Sequence, residues 1–200
     1  MNNIKKLQND LLKILNYHRN REYVIVCIGT DRSTGDSLAP LVGWNLSKMK
    51  LENFYVYGTI DDPIHAENLN EKINYINSKH KNAYIIGIDA CLGRSTSIGR
   101  IRVNDTPLSP GAGIGKNLPQ VGECSITGVV NVSGFMEFFV LQNTRLSLVM
   151  KMANDISDLI VATDTHLGDR QVEEYKLISK KRNKFIKLIG DDFKKWVYSN

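Results

Sequence analysis

Two hundred residues suit a single domain, and 42% hydrophobic against 24% charged residues with five prolines is the make-up of a globular chain rather than a disordered one. No run reaches the roughly 18 apolar residues of a membrane span, and the amphipathic opening MNNIKKLQNDLLKILNYHRN lacks the form of a signal peptide, so a cytoplasmic protein with no membrane partner is expected. The net charge of +5 sits largely in residues 167–200, where nine Lys or Arg face five Asp or Glu; without a nucleic-acid motif this tail reads as a solvated helical face, not a nucleic-acid contact.

Taken in chain order, Ile4, Leu7, Leu11, Leu12 and Leu15 recur at helical spacing and predict a helix over residues 3–18. Tyr23 to Ile28 (YVIVCI) and Ala83 to Ile88 (AYIIGI) are continuous apolar runs, the pattern of parallel strands buried on both faces, and Phe54 to Tyr57 is a shorter strand. Helical stretches over about Asp36–Lys48 and His65–Asn77 separate them, so the first ninety residues spell β-α-β-α-β. Further strands are expected over Ile98–Val103 and Ser125–Val130, divided by a loop rich in Gly and Pro from Thr106 to Gly122. Arg145–Ala162 carries one apolar stripe from Leu146 to Ile160, and Gln171–Leu188 reads as a basic helix. The whole reads as one α/β domain over residues 1–200, with the N-terminal helix and a basic helical tail from about residue 167 as appendages.

In an open parallel sheet, sites form beyond the carboxyl ends of strands where the strand order reverses. Asp36 follows the first strand through the loop GTDRSTG, and Asp89 is placed by IIGIDA at the end of the third. With a sheet order beginning 2-1-3, both carboxylates face one cleft. Two carboxyl groups in a partly dry cleft do not both ionise readily; one stays protonated while the other takes a proton from water, which suits hydrolysis. Spacing alone reads more simply as helix capping: Asp36 precedes Ser37-Leu38-Ala39-Pro40, and Asp89 would cap whatever follows its strand.

Other candidate chemistry is weaker. The loop Pro110 to Lys116 fails both phosphate-binding templates, since Pro110, Lys116 and Asn117 occupy positions those motifs give to Gly, Gly and Ser or Thr; it reads as an irregular loop that either binds an extended peptide backbone or simply turns tightly. Cys91, two residues after Asp89, is a candidate nucleophile without a histidine placed to activate it, while Cys27 and Cys124 read as buried small hydrophobes. The three cysteines include no C-x-x-C and form no disulfide framework, and His18, His65, His80 and His166 have no metal-binding spacing. No metal and no cofactor is expected.

The motifs CIGTDRSTGDSLAPLVG, IIGIDACLGR and PGAGIGKNLPQVGE, in that order, resemble the YyaC sporulation protein family of spore-forming bacteria. That family resembles in turn the spore germination protease, an atypical aspartic peptidase, and more distantly the hydrogenase-maturation proteases. The resemblance implies a three-layer α/β/α fold around a mostly parallel twisted sheet. It also implies a sporulation-associated peptidase whose functional pair falls on Asp36 and Asp89, acting on a protein or peptide substrate such as a spore protein. Asp31, Ser109, Gly111, Gly113, Gly115 and Lys116 become candidates for substrate binding or oxyanion stabilisation. Ser109 stands before Pro110-Gly111 where the germination protease has histidine, and the chain is too short for a comparable propeptide. The alternative reading is a catalytically silent peptide-binding or regulatory protein of the same fold. A homo-oligomer is compatible with either.

Overall fold

A computed structural model of the chain describes residues 2–18, 20–111, 118–170 and 176. The chain divides into two compact units, Met1–Asp164 and Thr165–Asn200. In the second unit residues 165–170 are helical, and the expected basic helix over Gln171–Leu188 lies outside the described residues except for Lys176.

In the first unit the order begins with helix α1 (Ile4–Asn16), strand β1 (Glu22–Cys27), helix α2 (Leu38–Ser47), strand β2 (Phe54–Tyr57), helix α3 (Leu69–Lys79) and strand β3 (Ala83–Gly93). A 3-10 turn (Ser95–Ser97) then leads into strand β4 (Ile101–Asn104), strand β5 (Cys124–Val132) and a short helix α4 (Glu137–Gln142). A last helix, α5, covers 146–164 of this unit. Five strands form one sheet in the order β2-β1-β3-β5-β4. Every pairing is parallel except β4 against β5. The 2-1-3 beginning expected from the sequence is therefore present.

The continuous apolar runs of β1 and β3 are explained by cover on both faces. Val24 and Val26 point to one side, where they pack with Leu69 and Ile76 of α3. Packing on the other face is tight at one point of β5: a Cβ on Gly128 would overlap Leu38 of α2 and approach Met152 of α5. The result is three layers, helix, sheet, helix, with fully buried residues such as Ile25, Ile86, Ile88 and Ile126 along the central strands. Helix α1 is capped by Asn3, whose side chain accepts from Lys6 N at 3.0 Å, and buries Leu11, Leu12 and Leu15. It lies along α5, with Gln8 Nε2 donating to the Ala162 carbonyl at 2.8 Å.

Two carboxylates brace the edges of this unit. The buried Asp164 accepts from the backbone N–H groups of Glu52 and Asn53 at 3.0 and 2.8 Å, satisfying donors in the turn that feeds β2. Elsewhere, His80 is held between Glu22 and Tyr57, each 2.8 Å from one ring nitrogen, which ties the end of α3 to the sheet.

Strand β3 extends five residues beyond the apolar run that predicts it. Asp89 does not end the strand: the ladder with β5 continues to Gly93↔Val132, whereas the ladder with β1 stops at Cys27↔Ile88. The polar residue marks the level at which β1 departs, not the end of β3. Similarly, β4 starts three residues later than expected because Ser95–Ser97 take up a 3-10 turn first.

Candidate active site

The departure of β1 from β3 creates the crevice at which strand order reverses, and Asp89 is the first residue of β3 above it. Asp36 is brought to the same place by a sharply folded loop. Gly29 leaves β1 with φ 148°, and a Cβ there would overlap the Asp36 carbonyl oxygen, so only glycine lets the loop close back on itself. Thr30 N donates to that carbonyl at 3.3 Å. The cap position of α2 falls on Ser37, whose hydroxyl donates to the Thr34 carbonyl at 2.7 Å, so Asp36 does not occupy the cap position.

Asp36 and Asp89 line one cleft of about 280 Å³. β3 supplies its floor with Asp89, Ala90, Cys91 and Leu92, and the β4–β5 pair supplies a polar wall of Asn104, Ser125 and Thr127. Asn104 Nδ2 reaches Ser125 Oγ at 3.3 Å and Thr127 Oγ1 at 3.4 Å, contacts long enough to be exchanged for a ligand. Thr106 to Ser109 and Gly111 form the rim on one side, and Leu141 of α4 closes the other. An isolated antiparallel bridge between Leu108 and Val121, with both N–H···O distances 2.9 Å, pins the base of the Gly- and Pro-rich loop.

Asp89 is 8% exposed. Burial holds its carboxyl well above the usual carboxylate range, the nearby Asp36 pushes it further up, and the Ala90 N–H opposes both by stabilising the charged form. The surroundings thus favour the protonated form of one member of the pair, the condition that acid–base work by two carboxyl groups requires. Cys91 lies in the same cleft, but burial and the neighbouring Asp89 raise its thiol above the ordinary value despite the opposing effects of Arg102 and Thr127. A thiol held protonated is a poor nucleophile. Alkylation of Cys91 by iodoacetamide at pH 7 is accordingly expected to be slower than that of free cysteine; a rate above that of the free thiol would restore the nucleophile reading. Burial also raises Cys27, and it pushes Cys124 up to about 12, in keeping with their place in the core.

Of the other residues singled out in the sequence, Ser109 and Gly111 line the cleft, and Gln120 Nε2 donates to Ser109 Oγ at 3.3 Å. Asp31 is exposed on the loop before Asp36 and is not part of the lining. Gly113, Gly115 and Lys116 lie outside the described residues. The polar wall and Leu141 carry no sequence signal of their own: Asn104, Ser125 and Thr127 resemble ordinary strand residues until β4 and β5 pair beside Asp89. Among the described residues, no group of three or more His, Cys, Asp or Glu side chains is arranged to hold a metal. No helix among them is long and apolar enough to cross a membrane.

Known proteins share this architecture. The NiFe hydrogenase maturation protease HycI from Thermococcus kodakarensis KOD1 superposes with a TM-score of 0.55 over 78% of this chain and 99% of its own, at 15% identity, which establishes likeness of fold. The uncharacterized protein YyaC of Bacillus subtilis (strain 168) is 56% identical over 160 residues, 80% of this chain and 78% of that protein. The family described as "Protein of unknown function (DUF1256)" matches residues 1–159, which span all of the cleft described above. With the fold, the order of the motifs and this coverage in agreement, the chain belongs to the DUF1256 family and is a homologue of YyaC.

Proposed function

We propose that the protein is a peptidase that hydrolyses a peptide bond with a water molecule activated between Asp36 and Asp89. The observation that carries this reading is the pair of carboxyl groups in one cleft, one of them buried, with burial first and its partner's charge second pushing its pKa up. Asp36, at the half-buried head of α2, takes the proton from water; Asp89 donates its proton toward the scissile carbonyl as the tetrahedral intermediate forms. Asn104, facing the same space, supplies a second donor to the same carbonyl oxygen as it gains charge in the approach to the intermediate. The proton gained by Asp36 then passes to the leaving amine, and Asp89 recovers its own when the intermediate collapses.

The protease fold of HycI supports a peptidase, and the motif resemblance to the spore germination protease extends the proposal to a cytoplasmic enzyme of sporulation or germination acting on a spore protein. The test is incubation of the purified chain with an unfolded protein in H₂¹⁸O. Direct attack by water places one ¹⁸O in the new carboxyl terminus, leaves no acyl-enzyme to be trapped by hydroxylamine, and is unaffected by Cys91→Ser. Absence of cleavage between pH 4 and 9, or a trapped acyl-enzyme, would sink this reading.

A further inference from the structure

The segment between β5 and α5 plays no part in the chemistry above, yet it holds the largest concentration of exposed apolar surface in the described chain. Phe135, Met136, Phe138 and Phe139 are 86, 60, 63 and 55% exposed, and α4 buries none of its residues. Single exposed apolar side chains are ordinary, but four large ones within five positions form a contiguous patch of the kind that marks a binding surface. Met136 adopts the left-handed conformation, φ 52° and ψ 47°, which a residue with a Cβ enters only against steric strain. Strain and exposure thus coincide in one short segment, and neither serves the core.

The segment is nonetheless held at several points to the parts that carry the two aspartates. Gly35 N donates to the Leu141 carbonyl at 2.9 Å, joining the end of α4 to the residue before Asp36. Asn131 Nδ2 reaches the Val140 carbonyl at 3.3 Å and Thr144 Oγ1 at 3.2 Å. At the other end Ser133 N donates to the Gly93 carbonyl at 2.8 Å, beside the end of β3 that carries Asp89. Leu141, two residues after Phe139 on the same helix, is itself part of the cleft wall, so α4 borders both the ledge and the cleft.

Charge gives the ledge a second character. Arg94 follows Gly93 and so flanks Ser133, Arg145 follows α4, and Arg102 lies close enough to Cys91 to influence its thiol. All three are exposed, and none forms an ion pair with a carboxylate among the described residues. The acid within α4, Glu137, already accepts from Gly134 N at 3.1 Å.

We propose that residues 133–141 are the docking ledge for the polypeptide substrate, selecting segments that combine large apolar side chains with acidic ones. The inference rests on the peptidase reading for what happens next, because the helix that carries the ledge also lines the cleft of Asp36 and Asp89 through Leu141. Phenylalanine and methionine faces receive the apolar side chains, while Arg94 and Arg145 at the two ends of the segment and Arg102 near Cys91 in the cleft, none ion-paired with a carboxylate among the described residues, attract carboxylates and disfavour basic segments.

The test uses the full chain carrying Asp36→Asn, so that bound peptide is not turned over, and three fluorescein-labelled twelve-residue peptides read by anisotropy. One contains Leu, Phe and Glu, one Leu, Phe and Lys, and one Ser, Gly and Glu. The first is expected to bind at least tenfold more tightly than the others. Adding Phe138→Ser and Phe139→Ser should weaken it at least tenfold without lowering the melting temperature, since both rings are exposed. Arg94→Glu should reduce the preference for Glu over Lys. Equal binding of the three peptides, or unchanged binding after the serine substitutions, would overturn the proposal. So would serine substitutions that leave peptide binding intact but dissociate a dimer in sedimentation velocity, or abolish binding to phosphatidylglycerol vesicles; the ledge would then be a self-interface or a lipid contact. The two readings fail separately. Peptide bound by the unsubstituted chain but never cut removes the peptidase and leaves the ledge. Cleavage of an unfolded protein with the same KM in the chain carrying only the two serines removes the ledge and leaves the peptidase.

Discussion

Asp36→Asn and Asp89→Asn are each expected to lower peptide-bond hydrolysis by about 10²- to 10⁴-fold, the contribution of a positioned acid or base, without unfolding the protein. Asparagine keeps the shape and removes the proton chemistry. For Asp89 the same substitution should raise stability at neutral pH. Burial and Asp36 hold its folded-state pKa above the unfolded value, so between those two values the native chain binds a proton that the unfolded chain has released. Stability contributed by Asp89 is complete below the ordinary carboxylate range and is lost as pH rises through the elevated pKa. An asparagine side chain in its place cannot ionise and avoids that loss. Melting curves of the Asp89→Asn chain and the unsubstituted chain should therefore differ by a few degrees at pH 7–8, with the variant higher, and converge near pH 3; about 2–4 °C corresponds to 1 kcal/mol for a chain of this size. Full activity in either variant, or an Asp89→Asn chain that melts lower at pH 8 than the unsubstituted one, would remove the dyad. In Asp36→Asn the Asp89 carboxyl should titrate lower than before, yet still above the usual range, because burial is the larger of its two causes.

Gly43→Ala is expected to destabilise the protein by about 3 kcal/mol, lowering the melting temperature by roughly 6–12 °C. Gly43 lies on the buried face of α2, and a Cβ there would overlap the Gly58 carbonyl oxygen just beyond β2. The obstacle is backbone, not the end of a flexible side chain, so relief requires the helix or the β2 exit to move. Either motion disturbs the site as well, since Asp36 stands two residues ahead of α2 and its loop is folded tightly against Gly29. A calorimetric scan would measure the loss, and a change below about 0.5 kcal/mol would show that α2 is not seated on the Gly58 backbone. The contrast is Gly128→Ala, where the overlapping atoms belong to the side chains of Leu38 and Met152, which can rotate, so the cost should be smaller.

The central strands were legible because burial on both faces demands uninterrupted apolar residues: YVIVCI falls on β1 with each end displaced by one residue, and FYVY matched β2 at both ends. The far half of β3 was not, since DACLG is stabilised by its ladder with β5, a partner more than thirty residues away. Helix α3 begins at Leu69 rather than near His65 because His65 to Asn68 form a turn first, with His65 N donating to the Asn68 side chain at 2.8 Å. The ledge was missed outright. GFMEFFVLQ has the composition of a buried segment, and only the folded chain shows those side chains in water.

What the sequence determined by itself is the alternation of strands and helices, the placing of an aspartate beyond the apolar run of each of two core strands, and the motifs that identify the family. These are local properties: periodicity, turn chemistry and the order of residues along one chain. Tertiary structure alone decided that β1 leaves the sheet at the level of Asp89, that Asp36 returns to the same crevice, and that the Asp89 carboxyl is buried beside it. It also decided which strand residues become the polar wall and which apolar residues stay outside. The physical reason is the same in each case: pairing, burial and the electrostatic cost of a charge depend on neighbours distant in sequence, and those neighbours meet only when the sheet closes around them.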